Sequence, residues 1–127
     1  MARIPLIAIV DDDASVREAI QGLVEVSGFA AEVFSSAEEF LRSERLNETA
    51  CLITDVQLPG MSGLQLQNHL SLSGYRTPII VITAFPGDGR RAVAAGAICF
   101  LRKPVIKEDL LTCIRSALDR PHSGDFR

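Results

Sequence analysis

Five short apolar runs alternate along this chain with longer stretches of helical periodicity, and that alternation restricts the available folds more than any other feature. The runs are Leu6 to Val10, Ala31 to Phe34, Cys51 to Thr54, Ile79 to Thr83 and Ile98 to Leu101, each bounded by turn or polar residues. Between them, apolar residues recur at helical spacing: Val16, Ile20, Leu23 and Val24, then Phe40 and Leu41, then Leu64, Leu66 and Leu70. Leu110, Leu111, Ile114 and Leu118 repeat the pattern after the last run. Strands alternating with helices imply right-handed crossovers and a parallel sheet covered on both faces, so each strand reads as a nearly unbroken apolar run. The predicted fold class is therefore α/β, and the expected architecture is a doubly wound five-stranded parallel sheet, taken in the common order 2-1-3-4-5. Gly28, Gly74 and Gly96 stand where the first, third and fourth helices should end, and Ser35 or Ser36 can cap the second. The fourth helix is expected to be shortened. Pro86, Gly87 and Gly89 leave only Arg90 to Ala95 as good helix, under two turns at about 3.6 residues each.

Composition narrows the function. The 127 residues suit one domain, which we place at 1–120, with 121–127 as a tail or the start of a truncated linker. No apolar run approaches a bilayer span and nothing resembles a secretory signal, so the expected location is cytoplasmic. A net charge of −3 argues against this chain gripping a nucleic-acid backbone by itself. Cys51, Cys99 and Cys113 lack the spacing of a zinc or redox motif and read as plain core thiols.

Chemistry is concentrated where the apolar runs end. The first run leads into Asp11-Asp12-Asp13, at the strand edge where open α/β sheets bind ligands. Asp13 precedes Ala14-Ser15-Val16 and suits a helix N-cap. Asp11 and Asp12 repel one another unless a cation or proton lies between them, and a divalent ion is the simplest remedy. The third run ends in Asp55, which faces Asp11 and Asp12 if the first and third strands are neighbours, as in the common order 2-1-3-4-5. An all-oxygen cluster of that kind suits Mg²⁺. The fourth run ends in Thr83 and the fifth is followed by Lys103-Pro104, so a hydroxyl and an ammonium join three carboxylates. A cation site beside an anion site fits phosphoryl transfer.

The segments Ile9-Val10-Asp11-Asp12-Asp13, Thr54-Asp55-Val56-Gln57-Leu58-Pro59-Gly60-Met61-Ser62-Gly63, Ile82-Thr83-Ala84 and Phe100-Leu101-Arg102-Lys103-Pro104, in that order, resemble the receiver domains of two-component response regulators. With Ser36-Ala37-Glu38-Glu39-Phe40-Leu41, the sequence is similar to receivers of the nitrogen-fixation regulator type. The resemblance implies the flavodoxin-like receiver fold, with Asp55 as phosphoacceptor. It implies that Asp12 ligates Mg²⁺ directly, Asp11 mainly through water, and Gln57 through its backbone carbonyl. Thr83 and Lys103 would contact phosphoryl oxygens, Thr83 and Phe100 would form the switch, and the Lys103–Pro104 peptide would be cis. Such a chain is a phosphoacceptor that assists its own phosphorylation and dephosphorylation rather than an enzyme. Its donor would be a sensor histidine kinase, and two outputs stay open, transcriptional regulation through a separate domain or protein contact by a stand-alone receiver. Pairing of two copies through the face from the fourth helix to the fifth is open.

Three other readings compete. A phosphohydrolase of the haloacid dehalogenase type would want an acid where Gln57 stands, and a flavodoxin-like nucleotide binder would want a Gly-rich loop after the first strand. A receiver-fold interaction module that works without phosphorylation would be expected to have lost some of Asp12, Asp55, Thr83 or Lys103, and this chain keeps all four.

Overall fold

The computed structural model describes residues 4–119, so the tail assigned to 121–127 lies outside the described residues. Five strands, β1 (Leu6–Val10), β2 (Ala30–Phe34), β3 (Thr49–Asp55), β4 (Ile79–Thr83) and β5 (Cys99–Arg102), form one parallel sheet in the order β2-β1-β3-β4-β5. Helices α1 (Ala14–Val26), α2 (Ala37–Leu41), α3 (Gly63–Leu72), α4 (Pro86–Ala94) and α5 (Lys107–Asp119) make the crossovers, and a 3-10 turn (Leu46–Glu48) leads into β3. This is the doubly wound arrangement that the alternation of runs predicts.

The two faces of the sheet explain why the strands read as unbroken apolar runs. Ile7, Ile9, Cys51, Ile53, Ile80 and Ile82 point to one side and pack with Ile20 and Val24 of α1 and Leu110, Ile114 and Ala117 of α5. The intervening residues Ala8, Val10, Leu52, Ile79 and Val81 point to the other, against Phe40 of α2, Leu66 and Leu70 of α3 and Ala92 of α4. Period two is present, but both phases are apolar. Burying each of the larger side chains contributes about 1.5–3 kcal/mol relative to exposure.

Helix ends follow local chemistry. Gly28, Gly74 and Gly96 adopt positive φ just beyond α1, α3 and α4, and Ser36, not Ser35, caps α2 by accepting from the Glu39 N–H. Ser62 and Gln65 form a reciprocal capping box at the start of α3. The fourth helix differs from expectation. At nine residues it is shorter than α1, α3 and α5, yet it starts at Pro86 rather than Arg90. Proline at the first helical position supplies a preset φ, and the Asp88 and Gly89 N–H groups bond back to the Phe85 carbonyl, so the first turn closes despite two glycines. The cysteine reading also needs correction. Cys51 is a buried free thiol, but Cys99 of β5 and Cys113 of α5 lie with Cα atoms 6.6 Å apart and are paired sulfur to sulfur. No helix among the described residues is long and apolar enough to cross a membrane.

Candidate functional site

Asp11 follows β1 directly, and Asp55 is the last residue of β3. Because Val10 pairs with Thr54 across the two strands, the carboxylates that follow lie side by side where the chain order reverses. Asp11, Asp12 and Asp55 each offer an oxygen within 4.8 Å of the others. Asp11 and Asp55 are buried, whereas Asp12 is exposed. Asp13 turns away to cap α1, accepting from the N–H groups of Ser15 at 2.8 Å and Val16 at 3.3 Å.

Lys103 enters from β5. Its backbone N–H donates to the Thr83 carbonyl, the peptide to Pro104 is cis, and its ammonium lies 2.6 Å from Asp55 Oδ2 and 3.1 Å from Asp11 Oδ2. Burial pushes the Asp11 carboxyl above the usual range, helped by the nearby Asp55 charge and opposed by the Asp13 N–H and Lys103. Burial alone would depress the Lys103 ammonium, but its hydrogen bond to Asp55 and its close charge contacts with Asp55 and Asp11 leave it raised. Thr83 ends β4 fully buried, with its hydroxyl oxygen accepting from the Phe85 N–H at 3.0 Å, which leaves its proton to donate elsewhere.

The residues present suit a hard divalent cation. Three carboxylates converge without a nitrogen or sulfur ligand, and Asp11 Oδ2 is a buried oxygen that accepts no well-aligned hydrogen bond. Gln57 lies beside the cluster, its backbone N–H donating to Asp55 Oδ1 at 3.0 Å. Phe100 is half-buried on β5 and rests its ring directly on Gly89 of α4.

Three further residues shape the site without a role predicted from sequence. Gly63 brings the start of α3 against the Asp55 carbonyl so closely that any side chain would collide with backbone. Glu38 of α2 reaches the loop after β3, where its carboxylate accepts from the Met61 N–H at 2.8 Å, a bond that holds its pKa below the usual range. Asp88 of α4 accepts from the Gln57 side chain at 2.8 Å. Gly63 had a signal in its motif, Pro59 to Gly63; Glu38 and Asp88 had none, because each partner is distant in sequence.

Comparison with known proteins agrees with this geometry. Residues 7–115 match the family model described as response regulator receiver domain. The chain is 44% identical over 119 residues to response regulator protein TodT of Pseudomonas putida, covering 91% of this chain and 52% of that protein. It is 38% identical over 115 residues to transcriptional regulatory protein FixJ of Azorhizobium caulinodans, covering 88% and 54%. The chain thus spans about half the length of these curated relatives. Among solved structures, response regulator StyR superposes with a TM-score of 0.82 at 42% identity, covering 91% of this chain and 60% of that one. The crystal structure of FixJ-N gives a TM-score of 0.84 at 30% identity, covering 94% and 98%.

Proposed function

The chain belongs to the response regulator receiver family of two-component systems, and on that premise we propose that it accepts a phosphoryl group onto Asp55 with the help of Mg²⁺. One observation carries the reading: the Asp55 carboxylate is held 2.6 Å from the Lys103 ammonium inside a cluster of three carboxylates at one sheet edge.

The donor would be a phosphohistidine on a sensor histidine kinase or a small acyl phosphate. In either case the Asp55 carboxylate oxygen attacks phosphorus as the bond to the leaving group breaks, giving an acyl phosphate on the protein. Two features ready Asp55 for that step. The Gln57 N–H fixes Oδ1, and Lys103 holds Oδ2 at the side where charge will accumulate on the phosphoryl oxygens. Thr83 supplies a free hydroxyl proton for a phosphoryl oxygen. The carboxylates of Asp11, Asp12 and Asp55 with the Gln57 carbonyl would hold the ion, Asp12 directly and Asp11 mainly through water. Bound there, Mg²⁺ would offset the repulsion between an anionic nucleophile and an anionic phosphoryl group.

A phosphorylated state that gains the Thr83 contact shifts the balance between two packings, with Phe100 as the aromatic that follows. Output through a separate DNA-binding domain is consistent with relatives about twice this length. Incubation with acetyl phosphate and Mg²⁺ followed by intact-mass measurement tests the reading. The wild type should gain one phosphoryl adduct that Asp55→Ala lacks. No adduct on the wild type, or an equal one on the variant, would leave the interaction module that works without phosphorylation.

A further inference from the structure

Helix α4 opens with Pro86-Gly87-Asp88-Gly89, a poor sequence for a helix, and is held from outside by two side-chain hydrogen bonds from the β3–α3 unit. Gln57 Nε2 donates to Asp88 Oδ2 at 2.8 Å in the first turn, and Gln67 Nε2 donates to the Ala92 carbonyl at 2.9 Å further along. Asp88 is nearly buried at 8% exposure, and its other oxygen is taken by the Arg91 guanidinium. A carboxylate only accepts, so the Gln57 amide must present its NH₂ end, and the orientation of the pair is unambiguous. The same Gln57 donates its backbone N–H to Asp55 Oδ1 at 3.0 Å. One residue therefore touches the phosphoacceptor through its main chain and α4 through its side chain.

We propose that Gln57 and Asp88 are a positioning pair that couples the occupancy of Asp55 to the placement of α4. When Asp55 Oδ1 changes partner, the Gln57 main chain loses or alters its anchor, and the side chain carries that change to the first turn of α4. Coupling of this kind is reciprocal, so the state of α4 feeds back on the Asp55 site. The second half rests on Asp55 being a phosphoacceptor; the link between Gln57 and α4 does not.

Two experiments separate these halves. Hydrogen exchange across α4, without a phosphoryl donor, is compared for the wild type, Gln57→Glu, Asp88→Asn and the double variant, with α1 as internal reference. Gln57→Glu sets two carboxylates against each other and should speed exchange in α4 about tenfold, the factor a net hydrogen bond of this kind supports. Asp88→Asn keeps a single oxygen, which Gln57 can take only by turning the new NH₂ toward the Arg91 guanidinium, so exchange in α4 should rise, but by less than in Gln57→Glu. The double variant reverses donor and acceptor and should return α4 near the wild-type rate, a rescue that a merely structural role for either residue would not produce. Exchange in Gln57→Glu equal to wild type, or a double variant as fast as Gln57→Glu, overturns the pair. In the second experiment, acetyl phosphate and Mg²⁺ should change α4 exchange in the wild type and change it less in Gln57→Glu. A phosphoryl adduct that leaves α4 exchange unaltered overturns the coupling. Absence of the adduct overturns the phosphoacceptor reading, and the exchange rates measured without a donor still decide whether the pair holds α4.

Discussion

Position 63 accepts no side chain, and the reason is spatial. Gly63 is absent from the glycines with positive φ, and its N–H donates to the Val56 carbonyl at 2.9 Å as an ordinary turn residue would. A Cβ there would meet the Asp55 carbonyl and Val56 Cα, both backbone atoms that cannot rotate away. Gly63→Ala should therefore destabilise the fold by about 1–3 kcal/mol through overpacking, read as a lower denaturant midpoint at unchanged slope. Stability equal to wild type would mean that α3 can lift off Asp55 freely. The polar members of the site were easier to find from sequence than this glycine. Asp11, Asp55, Thr83 and Lys103 each stand at or just beyond the end of an apolar run, where a charge or hydroxyl breaks the pattern. A glycine at the start of a helix breaks no apolar run, and the approach of α3 to β3 is what gives it a task.

At the scale of elements, α4 is where sequence and structure part. Propensity places its start at Arg90, but the helix begins at Pro86 because the proline presets the first turn and contacts from the β3–α3 loop, α3 and β5 add to what its own residues supply. Gly89 costs about 1 kcal/mol of helix propensity relative to alanine. Its lack of a side chain is what lets the Phe100 ring lie against α4. Gly89→Ala should accordingly destabilise by about 1–3 kcal/mol in the wild-type background, where the ring must move. In a Phe100→Ala background the same change should become neutral or stabilising by up to about 1 kcal/mol, since only propensity remains. A double-mutant cycle by chemical denaturation measures the difference, and additivity of the two changes would show that Phe100 and Gly89 are not coupled.

For the whole molecule, the acidic edge and the rest of the fold are linked through stability. An ion that binds the folded carboxylate cluster and not the unfolded chain stabilises the fold, by about 1.4 kcal/mol when free at roughly ten times its dissociation constant, and so raises the melting temperature. Millimolar Mg²⁺ should therefore raise the wild-type melting temperature by a few degrees and leave Asp12→Ala unmoved, and an equal rise in both would place the ion elsewhere. Sequence by itself determined the strands' raw material and the candidates for the site, because burial on both sheet faces forces apolar runs and because polar groups stand out where those runs stop. Asp11, Asp12, Asp55, Thr83 and Lys103 stood out as candidates on that ground, and the structure brings the three carboxylates and the ammonium together. Tertiary structure decided which groups meet. Glu38 with Met61, Gln57 with Asp88, Gly89 with Phe100 and Cys99 with Cys113 are pairs whose members lie in different elements. No local preference encodes such contacts; they appear only when helices are laid on a twisted sheet and side chains distant along the chain are brought within hydrogen-bonding or packing distance.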